Sequence, residues 1–182
     1  MSEPVIRKPG AAIRKPGDLD KTELLAFVSD LAKNWLAHDG LWFQEVEREF
    51  GLEAAMKLDL ATWDKFTVIE ARRVMERLGL KPGGGIAALV EALGFRLYAF
   101  INEQEVSELC ERSCVFRMKA CRVQEARKRK GLADFPCKRI GLVEYAGFAS
   151  TIDPRLKTEC LVCPPDDHPA DTWCAWKFTV EE

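Results

Sequence analysis

The sequence predicts an α+β fold, with an N-terminal helical layer packed on an antiparallel sheet built from two hairpins and intervening helices. Three observations point there. From Leu24 to Leu93, apolar residues recur at steps of three and four, the period of helices with one buried face. After residue 94, short apolar stretches bounded by turn residues take over, as in strands. In that second half the order reads hairpin, helix, helix, hairpin.

Residues 1–19 read as a flexible basic arm, in which Ile-Arg-Lys-Pro-Gly occurs at 6–10 and again at 13–17. The remaining chain, 20–182, reads as one domain, helical over 20–94 and carrying the sheet and the cysteines over 95–182. A first helix after Asp20 places Leu24, Phe27, Val28, Leu31, Trp35 and Leu36 on one face. His38-Asp39-Gly40 interrupts it as a turn, with Asp39 capping a second helix that carries Leu41, Trp42, Val46 and Phe50 and stops at Gly51. A third helix runs over 53–78 with Met56, Trp63, Phe66 and Val74 inward, and a break at 81–85 precedes a short helix over 86–93. Residues 95–100 fit a strand or a helix end. A hairpin follows, with strands over 106–109 and 115–118, then a basic helix over 121–130, a loop over 131–136 and a helix over 141–151 closed by Asp153-Pro154. Strands over 156–162 and 173–180 form the closing hairpin.

With 47% hydrophobic and 31% charged residues the chain falls in the ordinary globular class. A formal net charge of -2 argues against a dedicated nucleic-acid binder. No apolar run is long enough to span a bilayer, and the first residues have no signal-like apolar stretch, so the expected location is the cytoplasm. Exposed apolar faces on the long helices permit a homodimer without demanding one.

The cysteines carry the strongest chemical signal. All seven follow residue 109. In a reducing compartment such grouping favours metal or redox chemistry over structural disulfides, with buried small hydrophobes as the plain alternative. Cys160 and Cys163 are separated by two residues, a spacing that lets two thiolates grip one soft cation, and the closing hairpin returns Cys174 to their side. A further ligand would come from Cys121 or Cys137, and the bound group would be zinc or an iron–sulfur cluster. Strand geometry sets a condition: residues three apart point to opposite faces, so the strand must end or turn near Cys163, where Pro164-Pro165 follows. His168 would complete such a set or remain a solvated loop residue.

A second candidate site is a small-molecule pocket. His38, Asp39, Trp42, Phe43 and Trp63, with Phe66 and Tyr98, would supply its walls, unless these aromatics are plain core. Gln124 and Arg127 would enter from the basic helix, and the basic run Arg122, Arg127, Lys128, Arg129, Lys130, Lys138 and Arg139 reads as a solvated face or a small-anion site near Arg127.

The stretch from Cys121 to Cys137, together with Cys160-Leu161-Val162-Cys163-Pro164-Pro165-Asp166, Trp173-Cys174-Ala175-Trp176 and His38-Asp39-Gly40-Leu41-Trp42-Phe43, resembles a small prokaryotic family of uncharacterised cytosolic proteins. The ending from Lys157 to Cys160 and from Trp173 to Phe178 is similar to the closing hairpin of 4-vinyl-reductase-type domains, a likeness that implies an α+β fold binding small hydrophobic molecules. The same ending resembles L-2-amino-thiazoline-4-carboxylic acid hydrolases, although no catalytic set maps onto these residues. Taken with the cysteines, the expected function is a small-molecule-binding or sensor-like protein with a cysteine-ligated metal or iron–sulfur site. The rivals are a metal-dependent hydrolase-like enzyme, assisted by His38, Asp39, Gln124 or Arg127, and an iron–sulfur redox protein.

Overall fold

Asp20 opens the fold with a reciprocal cap. Its carboxylate accepts the Glu23 N–H at 2.9 Å, and Glu23 accepts the Asp20 N–H at 3.0 Å. In the computed structural model, which describes residues 14–181, this cap starts α1 (Lys21–Phe50). Most of the expected arm, residues 1–13, lies outside the described residues. The rest of it departs from a free tail: Pro16–Asp18 forms a 3-10 turn, and Arg14 pairs with Glu23 at 2.7 Å.

The expected turn at His38-Asp39-Gly40 is absent, and α1 runs through it for 30 residues. The apolar rhythm explains why. Leu36, Phe43 and Val46 stay in phase across the gap, and one glycine inside a helix costs only about 1 kcal/mol relative to alanine. The stop is Gly51, whose φ of 85° suits glycine, and there the chain folds back into α2 (Leu52–Leu78). Trp35 on α1 stacks on Phe66 of α2 at 5.7 Å and meets Trp63 edge-on at 6.4 Å. α2 ends at the left-handed Gly79, and α3 (Gly85–Leu93) follows, burying Ile86, Leu89 and Leu93. Residues 95–100 are neither a strand nor an α-helix end; they bend into a 3-10 turn over Leu97–Phe100.

The second half contains β1 (Glu103–Ser107), β2 (Ser113–Ala120), α4 (Arg122–Arg129), α5 (Lys138–Ile152), β3 (Leu156–Val162) and β4 (Cys174–Val180). Both expected hairpins form, and β2 pairs with β4 to join them into one antiparallel sheet of order β1-β2-β4-β3. Its inner face is built by register, with Cys114 beside Phe178, Phe116 beside Trp176 and Met118 beside Cys174. All six are buried.

α5 lies between this face and α2. Two glycines permit the approach. A Cβ at Gly141 would stand 2.5 Å from a ring carbon of Trp176, and one at Gly147 would stand 2.6 Å from the Thr67 methyl. Thr67 donates its hydroxyl to the Glu144 carbonyl at 2.6 Å. A buried ion triad completes the junction: Arg96 reaches Glu70 of α2 at 2.8 Å and Glu144 of α5 at 2.7 Å. Its guanidinium also lies 4.6 Å from the centre of the Phe148 ring. Such a triad adds little net stability but leaves a buried charge unpaired if any member is lost, so it fixes one arrangement of the helices.

Among the described residues, no helix is long and apolar enough to cross a membrane.

Two alanine substitutions test this packing with opposite signs. Gly40→Ala, where a Cβ meets only Gln44 at 4.0 Å, should stabilise a continuous α1 by about 1 kcal/mol. Gly141→Ala should destabilise by about 1–3 kcal/mol, since the Trp176 ring must move. Urea denaturation reads both; a destabilising Gly40→Ala would mean that α1 is broken there.

Candidate ligand cavity and thiol cluster

Five cysteines are delivered from four chain segments. Cys121 precedes α4, and its carbonyl accepts the Glu125 N–H at 3.0 Å; Cys137 precedes α5, and its carbonyl accepts the Gly141 N–H at 2.7 Å. Cys160 lies on β3, Cys163 directly after it, and Cys174 opens β4. The geometric condition on Cys160 and Cys163 is met by a bulge. Cys160 pairs with Trp176 and Val162 with Ala175, so Leu161 is an extra residue and the alternation slips by one. The slip and the strand end together bring Cys163 inward, where it is 1% exposed. The turn after it is clamped to α5, with the Lys138 N–H on the Pro164 carbonyl at 2.9 Å and the Lys138 ammonium on Asp166 at 2.8 Å.

The sulfurs of Cys137 and Cys163 stand 3.4 Å apart, and Cys163 also interacts with Cys174. Hydrogen bonds to those two partners, then burial, push the Cys163 thiol far up, while the same contact with Cys163 lowers Cys174. Burial pushes Cys121 up to about 12 and Cys160 up to about 11, and each senses Cys137 and Cys174. Cys110 and Cys114 take no part. Cys110 is exposed in the first hairpin turn, 3.3 Å from the Ser113 hydroxyl, and Cys114 packs in the core. Among the described residues, no three His, Cys, Asp or Glu side chains stand as a ready-made metal ligand set.

Cys121, Cys137, Cys163 and Cys174 also line a cavity of about 410 Å³. α1 contributes Asp39 and Phe43, α2 Asp59 and Trp63, and α5 Glu144 and Tyr145; Trp176 and Met118 come from the sheet. The expected pocket residues divide accordingly. Asp39, Phe43, Trp63, Tyr98, Gln124 and Arg127 line it. His38 and Trp42 do not: an unbroken α1 turns them, four apart, onto an exposed stripe, and Trp42 is 61% exposed. Phe66 packs behind the wall, against Trp35 and Trp63.

Gln124 and Arg127 reach the cavity, but their polar atoms are committed elsewhere. Gln124 is wholly buried; its amide donates to the Phe135 carbonyl at 2.9 Å and accepts the Phe135 N–H at 2.8 Å. This double bond to the loop fixes the approach to Cys137. Arg127 donates to the Ala133 carbonyl at 2.8 Å and grips Glu47 of α1 at 3.1 Å. Elsewhere in the basic run, Lys130 reaches Gln44 at 2.7 Å and Arg139 reaches Glu53 at 3.1 Å. His168 packs on Trp173 at 4.8 Å with its Nδ1 3.0 Å from the Pro169 carbonyl, away from the cavity lining.

Sequence reasoning missed Asp59, Glu144 and Trp176. Burial, then Asp39 and Glu144, push Asp59 up to about 7. Burial likewise raises Asp39 and Glu144, against the pull of His38 and Arg96 respectively. One signal was present: Asp59 lies four residues before Trp63, as Asp39 lies four before Phe43, so each carboxyl is in phase with an inward aromatic.

The model for a family of unknown function, DUF6125, matches residues 16–180. The chain belongs to this family. The match spans the long helices as well as the sheet, so the cavity and the five gathered cysteines all fall within the extent of DUF6125. No curated protein matches the chain.

The raised Asp59 carboxyl has a pH signature. Between about pH 4 and pH 7 the folded protein holds a proton that the unfolded chain releases, so stability falls as pH rises through that window. Asp59→Asn removes the effect. It should exceed the wild type in stability by on the order of 2 kcal/mol near pH 8 and match it near pH 4. Thermal or urea denaturation at the two pH values checks this; an equal difference at both would place Asp59 in water.

Proposed function

We propose that this protein binds a small, largely apolar organic molecule in the cavity between α1, α2, α4, α5 and the sheet, with the thiols at its inner wall. The observation that carries the reading is the cavity itself. At about 410 Å³ it has the size of small-molecule sites, and its walls combine aromatic rings with a few convergent polar groups. The thiols would then report on, or react with, what the cavity holds, which is the sensor-like part of the reading.

Zinc or an iron–sulfur cluster at the thiols is the second reading. It is favoured by thiols from separate segments meeting with the Cys137 and Cys163 sulfurs 3.4 Å apart, near the ~3.8 Å between sulfurs on one tetrahedral zinc. Among the described residues the side chains as they stand form no three-membered ligand set, so a metal would have to draw Cys174 and Cys121 or Cys160 onto that pair.

A fragment screen read by thermal shift and ligand-observed NMR tests the first reading. Apolar fragments should stabilise the protein, and Ala126→Phe, which fills the cavity from α4, should abolish their effect. A broad apolar set without hits, or hits indifferent to Ala126→Phe, would sink it. Metal and sulfide analysis of anaerobically purified protein decides the second: stoichiometric zinc or iron supports it, and no metal with all seven thiols free removes it.

A further inference from the structure

We propose that Cys137 and Cys163 form a redox-active dithiol, which a small hydroperoxide entering the cavity converts to a disulfide. The inference goes beyond ligand binding and holds whatever molecule the cavity accepts. It rests on how the fold holds the two sulfurs. They stand 3.4 Å apart, although the residues are 26 positions apart in the chain. One residue beyond each cysteine, the Lys138 N–H donates to the Pro164 carbonyl at 2.9 Å, and the Lys138 ammonium reaches Asp166 at 2.8 Å. The start of α5 and the end of β3 are thus tied together beside the thiols. Closing the pair to a disulfide brings the sulfurs together by roughly 1.4 Å, a shift within reach of side-chain torsions.

Exposure assigns the two roles. Both thiols line the cavity, but Cys137 is half-buried and Cys163 is 1% exposed, so an oxidant in the cavity meets Cys137 first. Gln124 stands beside that sulfur. Its amide nitrogen lies 3.5 Å from the Cys137 Sγ, and its bonds to the Phe135 carbonyl and N–H hold it there. The Cys137 sulfur attacks one oxygen of hydrogen peroxide and the O–O bond breaks. The departing hydroxide takes the Cys137 thiol proton and leaves as water, and the sulfur is left as a sulfenic acid. Cys163 then attacks the Cys137 sulfur, the S–O bond breaks, and the second hydroxide leaves as water with the Cys163 proton. Two thiols and one peroxide become one disulfide and two waters. Two equivalents of a low-molecular-weight thiol restore the dithiol by exchange.

The other cysteines are placed differently. Cys110 is exposed beside the Ser113 hydroxyl, and Cys114 is packed in the core. Cys174 also interacts with Cys163, so the competing product is a Cys163–Cys174 disulfide.

The test exposes the reduced full chain, with any metal it carries left in place, to equimolar hydrogen peroxide. Remaining thiols are then blocked in acid, and the disulfides are mapped by mass spectrometry. The wild type should lose two of its seven thiols to one Cys137–Cys163 disulfide and regain both with dithiothreitol. In Cys163→Ser the reaction should stop at the Cys137 sulfenic acid, so dimedone labelling of Cys137 should rise several-fold over the wild type. Unchanged labelling in a folded Cys163→Ser would overturn the order of attack, and the wild-type map decides the pairing without that variant. A Cys163–Cys174 disulfide, or oxidation that leaves Cys137 and Cys163 as free thiols, would overturn the proposal. So would a disulfide that appears only after a chelator has removed zinc or iron, which would give both sulfurs to the metal. Fragment binding is measured separately, so none of these results touches the cavity reading.

Discussion

The structure depends on how closely α5 lies between α2 and the sheet. Ordinary side chains would hold these layers apart, and Gly141 and Gly147 remove the obstruction, one beneath the Trp176 ring and one against Thr67. The consequences run along the helix. Glu144, three residues from each glycine, is carried into the interior, where Arg96 must meet it. Cys137, one turn before Gly141, is brought against Cys163 at the end of β3. Two positions without a Cβ thus set both the buried charge and the meeting of the thiols.

That geometry gives the cavity its chemical character. Its walls are apolar and aromatic, which makes every charge inside strong, since the surrounding dielectric is low. Carboxyls respond by holding protons, as Asp59 does, and thiols by staying neutral, as Cys121 does. For Cys174 the contact with Cys163 acts the other way and lowers the thiol from its ordinary value.

Much of the fold was legible in sequence because its elements follow the two simple periods. Leu24 to Leu93 kept helical steps, both hairpins were bounded by turn residues, and the Cys160–Cys163 spacing marked the thiols. What was not legible is instructive. Gly40 resembles a terminator because glycine is a common one, yet the in-phase residues Leu36, Phe43 and Val46 outweigh it. The extra Leu161 that reunites Cys160 with Cys163 leaves no local mark, since a bulge is defined by its partner strand. The pairing of β2 with β4 joins segments more than fifty residues apart, beyond any local pattern. Asp59 and Glu144 were overlooked for a related reason. A single carboxyl in an apolar helical stretch resembles a solvated residue until the facing elements are known.

Differential alkylation, mapped cysteine by cysteine, tests most directly the claim that a cavity open to small molecules ends at buried thiols. A bulky maleimide should modify the exposed Cys110 in the folded protein and spare Cys121, Cys137, Cys163 and Cys174, whereas iodoacetamide should also reach Cys174 through the cavity. If iodoacetamide spares Cys174 as completely as the maleimide does, the space is solid core. If both reagents modify the four lining thiols as fast as Cys110, the cluster is not assembled, and the account is contradicted.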